Sequence, residues 1–351
     1  MSDTAIGVRS EDAFDTAALA RWLGALDPAL AVEPSVHQFA GGASNLTYLL
    51  TYADRELVLR RPPAGAHVGT AHDMRREHDL QQAVGTVSSL VPRMIACCDD
   101  PAVLGSPFYV MERVPGVILR RDIPAGIGLD EPDQVGRLCR NAVEVLVGLH
   151  DLDVDAAGLR HLDRGPGYVH RQVAGWTERY RRARTADAPD FEAAMAWLAA
   201  HESAERPHVL IHNDFRFDNL VLDPDAPTRI VGVLDWELAT VGDPLMDLGS
   251  ALAYWVQPGD DPRALAVRLQ PTHTPGMLTR DEVVTAYCAA RGIEVSAQER
   301  LFLEVFGAFR LAGIAQQIYA RYAAGQTTNP AHGRIKAIVE VLHDRCAELL
   351  S

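Results

Sequence analysis

Apolar residues recur at helical spacing early in the chain. Phe14, Leu19, Trp22, Leu23 and Leu26 fall near one face of a helix over 14–26, which Pro28 and Pro34 close. The period then shortens. Residues 36–61 hold two alternating or apolar runs around Ala53-Asp54-Arg55, a hairpin signal with the pair Gly41-Gly42 in its first strand. A polar segment leads to a helix near His72–Val84, and further strands are expected at Val91–Cys97 and Pro107–Arg113. After Pro115-Gly116 helices take over. Residues 132–150 carry the apolar face Val135, Leu138, Val143, Leu146 and Leu149, and a basic stretch over 160–184 precedes a helix at 190–202. Residues 208–240 read as a short apolar strand, a polar loop and a second hairpin, and 243–351 as mostly helix. Strands first and helices later predict an α+β chain of two lobes and not alternating βαβ units. The expected division is 1–111, a short hinge at 112–117, and 118–351.

Composition narrows the function classes. With 351 residues, 48% of them hydrophobic and 23% charged, the chain can bury a large core. Its net charge of −14 argues against a general nucleic-acid binder, which needs a basic footprint. Lys336 is the only lysine, so chemistry that needs a lysine elsewhere is excluded in its usual form. The five cysteines are odd in number and form no C-x-x-C, so reduced thiols and a cytoplasmic location are expected. The opening MSDTAIGVRSEDAFD lacks the pattern of a signal peptide, and no run of about 18 apolar residues predicts a membrane span.

The segment 209–249, VLIHNDFRFDNLVLDPDAPTRIVGVLDWELATVGDPLMDLG, carries the candidate chemistry. It places His212, Asp214 and Asn219 in one loop, with Asp235 at the end of the apolar run Ile230–Leu234. Carboxylate and amide oxygens that flank a hairpin can converge, and hard oxygen ligands suit Mg²⁺ beside phosphate groups. Asp214, five residues before Asn219, stands where a base for a hydroxyl nucleophile is needed. The plain alternative is a loop whose Asp and Asn residues only make turns and caps.

H-N-D-x-x-x-x-N followed by D-W-E resembles the catalytic and metal motifs of the protein-kinase-like aminoglycoside phosphotransferase and choline kinase superfamily, whose protein-kinase counterparts are H-R-D-x-x-x-x-N and D-F-G. The resemblance spans roughly residues 30–350. It implies a two-lobed protein-kinase-like fold, with a nucleotide-binding N-lobe of antiparallel sheet plus helix, a hinge, and a larger, mainly helical C-lobe with the metal and acceptor sites. By the same resemblance Gly41, Gly42, Ser44 and Asn45 fall in the phosphate-covering loop, and Arg60 falls where kinases place a lysine. Glu77 matches the helix glutamate. Phe108–Val114 matches the strand that leads to the adenine hinge, so Glu112 and Val114 are expected to meet the base through backbone groups. Leu59-Arg60-Arg61-Pro62-Pro63, Arg171-Gln172-Val173-x-x-Trp176 and Gly242-Asp243-Pro244-x-x-Asp247-Leu248 are most similar to a branch found alone in bacteria and fused to acyl-CoA dehydrogenases.

The implied roles are Asp214 as base or hydroxyl-orienting residue, and Asn219 and Asp235 as Mg²⁺ ligands. Arg60 would pair with Glu77 and touch the phosphates of ATP, while strand alternation turns Arg61 the other way. His212, Asp243 and Asp247 are expected to brace the site. Trp236 and Glu237 stand where protein kinases carry Phe and Gly, so a flipping regulatory loop is not expected.

The acceptor is less legible. Arg160, Arg164, Arg171, Arg179, Arg181, Arg182 and Arg184, interleaved with Tyr168, Trp176 and Tyr180, either receive an anionic substrate or form a solvated helix face. Arg310, on a late helix, is a further candidate. Arg171, Trp176, Tyr180 and Arg310 are therefore the candidate acceptor residues. The leading expectation is an ATP- and Mg²⁺-dependent kinase of a small-molecule hydroxyl, with hydroxyacyl-CoA as the acceptor the branch implies. An aminoglycoside or amino-alcohol kinase is the second reading, favoured by an acidic acceptor cleft. A nucleotide-binding pseudokinase with a regulatory role is the third.

Overall fold

The structure is a computed structural model that describes residues 5–39, 45–63, 73–327 and 330–351. Helix α1 (Thr16–Leu26) starts where the Asp15 carboxylate accepts from the Ala18 N–H. Strands β1 (Ser35–Gln38), β2 (Leu46–Thr51) and β3 (Glu56–Arg61) follow, then α2 (Met74–Val84), β4 (Met94–Cys98), the single turn α3 (Pro101–Leu104) and β5 (Phe108–Glu112). The run expected to form one strand before Ala53 is thus two strands. Together these five make an antiparallel sheet in the order β1-β2-β3-β5-β4. Its apolar face, with Tyr48, Leu50, Leu57, Leu59, Phe108 and Val110, packs on α1.

Arg60 and Arg61 leave β3 on opposite faces. Arg61 is buried and gathers the N-terminal segment. Its Nη2 donates to the Asp12 carbonyl at 2.6 Å, its Nη1 to the Leu104 carbonyl at 3.0 Å, and its guanidinium lies 5.2 Å from the Phe14 ring centre. The chain then leaves the sheet. β6 (Val117–Ile118) already pairs with Leu222 and Val221 of a second sheet.

The remaining elements are α4 (Pro132–His150), α5 (Tyr168–Ala183), α6 (Glu192–Ala200), β7 (Val209–Ile211), β8 (Leu220–Leu222), β9 (Ile230–Val233) and β10 (Thr240–Gly242). Helices α7 (Pro244–Leu252), α8 (Pro262–Val267), α9 (Arg280–Arg291), α10 (Ala297–Ala323), α11 (Pro330–Arg334) and α12 (Lys336–Leu349) complete the chain. Capping boxes set the starts of α9 (Thr279 with Glu282) and α10 (Ser296 with Glu299). By length and composition α10 could cross a membrane, but 72% of its apolar window lies buried inside the protein. It is the core helix of the second lobe, where Phe302, Phe306 and Phe309 are buried. Its crossing with α7 is close enough to require glycine on both sides: a Cβ on Gly307 would sit 2.0 Å from the Gly249 carbonyl oxygen.

The start of α5 is tied to β7 by charge. His208 bridges Asp163 (2.7 Å) and Glu205 (3.0 Å), and Glu205 accepts the N–H groups of Gly167 and Tyr168. Burial works against the imidazolium, but the two carboxylates outweigh it and raise His208 above its ordinary value. A raised imidazole stabilises the fold below its unfolded pKa, near 6.5, and the contribution disappears as pH rises through the folded value. His208→Gln is therefore expected to lower the melting temperature at pH 6, with a smaller gap from wild type at pH 9. A gap independent of pH would contradict the charged bridge.

Candidate active site

The loop after β7 is held from three sides. Asp247, fully buried at the start of α7, accepts the N–H of His212 at 2.8 Å and of Asn213 at 2.7 Å, and also contacts His150 Nε2 at 3.1 Å. Burial opposes its ionisation, but the His150 hydrogen bond and charge outweigh that and hold the carboxyl below the ordinary carboxylate range. Asn213 is left-handed with φ 64°, a conformation that side-chain-bearing residues adopt at a cost of roughly 1–2 kcal/mol. Its carbonyl accepts from Arg310 Nη2 at 2.8 Å and its Nδ2 donates to the Leu238 carbonyl at 3.0 Å. The His212 ring lies 3.0 Å from the Leu234 carbonyl through Nε2 and receives the Asp214 N–H at Nδ1, which assigns the Nε2–H tautomer.

These contacts deliver Asp214, Asn219 and Asp235 to one place. Asn219 Nδ2 donates to the Asp214 carbonyl at 2.9 Å and to its carboxylate at 3.0 Å. Leu220 pairs with Val233, and the Leu234 N–H donates to the Asn219 carbonyl, so Asp235 follows directly beside Asn219. Asp235 is itself left-handed, with φ 67° and ψ 64°. With Asn219 Nδ2 spent on Asp214, its Oδ1 has no hydrogen-bond partner among the described residues, and neither does Asp235 Oδ2. This amide oxygen and carboxylate oxygen fit a hard divalent cation that completes its shell with water and phosphate. Among the described residues no group of three or more His, Cys, Asp or Glu forms a closed metal cage.

Arg60 joins the two lobes here. It donates to Glu77 at 2.8 Å and to Asp235 Oδ1 at 3.1 Å. Glu77 also accepts from the Tyr109 hydroxyl at 2.8 Å. Burial pushes the Glu77 carboxyl up, with Arg60 opposing. At Asp235 burial is outweighed by Arg60, which holds that carboxyl below its ordinary value. Asn45 is buried and donates to Glu237 at 3.2 Å. Gly41, Gly42 and Ser44 lie outside the described residues. The Glu112 N–H donates to the Arg93 carbonyl at 2.8 Å and its side chain pairs with Arg93. The Glu112 amide is thus already engaged within the sheet. The Val114 N–H and carbonyl make no hydrogen bond among the described residues.

Three further residues surround Asp214 that sequence reasoning did not single out. Arg216 Nε lies 3.3 Å from Asp214 and 2.9 Å from Asp218. Burial pushes the Asp218 carboxyl up to about 6, against the pull of Arg216. The Arg216 guanidinium stacks 4.8 Å from the Tyr254 ring centre, and burial together with the nearby Asp214 charge pushes the Tyr254 phenol up. Arg216 and Asp218 carried a signal, as charged residues inside the Asp214–Asn219 interval; Tyr254, forty residues on, carried none. Tyr254 also lines a cavity of about 700 Å³ between the end of α7, α8, α10 and α12. Its apolar lining includes Val256, Leu269, Leu311 and Val341.

The predicted acceptor residues fare differently. Tyr180 is wholly buried against Phe191 and Phe309, with its hydroxyl on the Pro189 carbonyl. It is a core residue, because α5 must bury one face. Arg171 donates to the Gly165 carbonyl at 2.8 Å and so fastens the turn before α5. Trp176 lies between Arg179 (4.8 Å) and Arg310 (5.3 Å) and packs on Gly313. Arg310, only 4% exposed, holds the Asn213 carbonyl. Tyr180 is thereby corrected from an acceptor contact to a core residue, while Arg171, Trp176 and Arg310 also make these packing and loop contacts. Three arginines of the basic stretch spend their charge locally: Arg160 on Asp155, Arg181 on Glu192, Arg182 on Glu178.

Comparisons with known proteins agree with this geometry. Residues 35–291 match the phosphotransferase enzyme family. The chain is 35% identical to mouse acyl-CoA dehydrogenase family member 10 over 293 residues, which are 83% of this chain and 27% of that protein. It is 33% identical to chicken acyl-CoA dehydrogenase family member 11, across 97% of this chain and 44% of that one. The chain therefore spans less than half the length of these relatives. A Ralstonia eutropha protein assigned to the aminoglycoside phosphotransferases superposes with TM-score 0.75 and 28% identity, over 96% of this chain and 99% of its own. The GDP complex of aminoglycoside 2′-phosphotransferase-IIIa superposes with TM-score 0.64 at 16% identity, over 95% and 99%, and shares the fold.

Proposed function

The chain belongs to the phosphotransferase enzyme family, and we propose that it transfers the terminal phosphoryl group of ATP, with Mg²⁺, to a hydroxyl of a small molecule. The observation that carries this reading is the convergence of Asp214, Asn219 and Asp235, with Arg60 linking Asp235 to Glu77. Asn219 and Asp235 would hold the cation, which spreads the charge of the transferring phosphoryl group. Asp214 orients the acceptor hydroxyl and takes its proton as the new P–O bond forms and the bond to the ADP oxygen breaks. Arg216 and Asn219 hold the Asp214 carboxylate for that task. The unengaged Val114 backbone is the group offered to the base.

For the acceptor we favour a hydroxyacyl-CoA. The relatives named above support it by their association with acyl-CoA chemistry, and the cavity beside Tyr254 sets apolar residues such as Leu269, Leu311 and Val341 among charged ones that include Arg268, Arg280 and Arg345, a mixed wall able to meet both an acyl chain and an anionic group. An aminoglycoside, the acceptor of the structural neighbours' names, would need carboxylates free to meet its amines. Here Asp260 is paired with Arg280, Glu304 with Arg345, and Asp261 and Asp344 with Arg263.

The test is ADP release from Mg-ATP, with GTP in a parallel arm, using a 4-hydroxyacyl-CoA and an aminoglycoside panel. Release with the thioester, abolished in Asp235→Asn, is expected. Release only with aminoglycosides would replace the acceptor. No release and no nucleotide binding would overturn the kinase reading.

A further inference from the structure

Arg76 stands next to Glu77 on α2 but points elsewhere. Its Nη1 donates to the Glu237 carbonyl at 2.8 Å and its Nη2 to the Ala239 carbonyl at 2.7 Å. Both carbonyls belong to the turn that follows Asp235, in the other lobe. Asn45 grips the Glu237 side chain at 3.2 Å, and Arg60 grips Asp235. The turn is otherwise anchored by Trp236, fully buried, with Nε1 donating to the Val233 carbonyl at 2.9 Å. The planar fork of arginine can reach two carbonyls of one turn at once, which a lysine ammonium does less well.

Asp235 needs such support, because its left-handed backbone relaxes wherever nothing holds it. We propose that Arg76 is a positioning residue: it clasps the Asp235 turn to α2 before any ligand arrives, so that Asp235 and Asn219 face the cation site already aligned. The inference rests on the proposed function only in taking Asp235 as a cation ligand. It also implies that the two lobes are joined at this edge of the cleft as well as through residues 113–116.

The neighbour Arg75 provides the control. It is exposed and pairs with Asp99 at 2.7 Å on the lobe's own surface. The experiment has two readouts on wild type, Arg76→Met, Arg76→Lys and Arg75→Met. The first is amide hydrogen exchange at residues 236–242 in the ligand-free protein. The second is the Mg²⁺ concentration needed for half-maximal binding of a non-hydrolysable ATP analogue, followed by calorimetry. With two hydrogen bonds lost, Arg76→Met is expected to exchange about tenfold faster in this segment and to need about tenfold more Mg²⁺. Affinity for the analogue without metal should be unchanged. Arg76→Lys should fall between, and Arg75→Met should match wild type.

Unchanged exchange and unchanged Mg²⁺ demand in Arg76→Met would overturn the clasp. If that variant is globally unfolded, Arg76→Lys decides: a folded lysine variant with wild-type protection overturns it. If wild type binds no nucleotide, the kinase reading fails while the exchange result still judges the clasp.

Discussion

Replacing Asp214 with alanine is expected to lower turnover by about 10²–10⁴-fold while nucleotide binding is retained. The carboxylate takes Asn219 Nδ2 on one side and faces Arg216 and Tyr254 on the other. None of these neighbours can accept a proton from a hydroxyl: Arg216 stays charged, and burial together with the Asp214 charge pushes the Tyr254 phenol up. The remaining carboxylate nearby, Asp218, is held 2.9 Å from Arg216 Nε and is the one group left for residual proton acceptance. The site lies under the N-terminal sheet's Arg60–Glu77 pair, but Asp214 makes no hydrogen bond to either, so the nucleotide contacts should survive. The informative companion is Asp214→Asn, which keeps the shape and the Asn219 contact through its remaining oxygen. Single-turnover kinetics of both variants separate proton acceptance from hydroxyl alignment. Equal, near-complete losses assign the role to the charge. Substantial activity in Asp214→Asn assigns it to alignment, and wild-type activity in Asp214→Ala removes Asp214 from the mechanism.

The second large effect is expected at Asp247. Alanine there strands three donors in the protein interior, the N–H groups of His212 and Asn213 and the His150 ring. Breaking a buried, hydrogen-bonded carboxylate of this kind costs about 3–5 kcal/mol. For a chain of this size that is a fall in melting temperature on the order of 5–10 °C. The loop that carries Asp214 loses its anchor at the same time, so turnover should fall even where the variant is folded. The pH dependence has a definite sign. The folded carboxyl is held below its unfolded value, so its contribution is complete above that value and is lost as pH falls through the folded one. The stability gap between wild type and Asp247→Asn should be constant above about pH 5 and shrink in stronger acid. Chemical denaturation at several pH values measures it, and a gap that persists unchanged to low pH would show that the charge of Asp247 is immaterial.

How far the sequence reveals such a site depends on the range of the contacts. Asp214 and Asn219 lie in one short loop, and Asp235 closes the hairpin that follows, so local pairing brings all three together. Arg60 is separated from Arg61 by strand alternation alone, and the two side chains do leave β3 on opposite faces. The helix over 132–150 follows from its apolar spacing. The split of the first hairpin into β1 and β2 does not, because the apolar pattern continues across residues on both sides of the glycine pair. Tyr180 failed as an acceptor residue for a different reason. Arginines and aromatics on α5 look alike whether they meet a ligand or their own helix neighbours, and only burial tells Tyr180 from a contact residue. Arg76 and Tyr254 act on partners far along the chain, Arg76 at 161 and 163 residues, and no local pattern announces that.

The arginine at position 60 has one practical consequence. Nucleotide probes that label kinases by acylating the amine beside the phosphates find no amine there. Lys336 is the chain's single lysine and it pairs with Asp187 at the start of α12. On the proposed function, chemoproteomic surveys that rely on amine-reactive ATP mimics would pass this protein over, and guanidinium-directed or label-free methods are the ones able to count it.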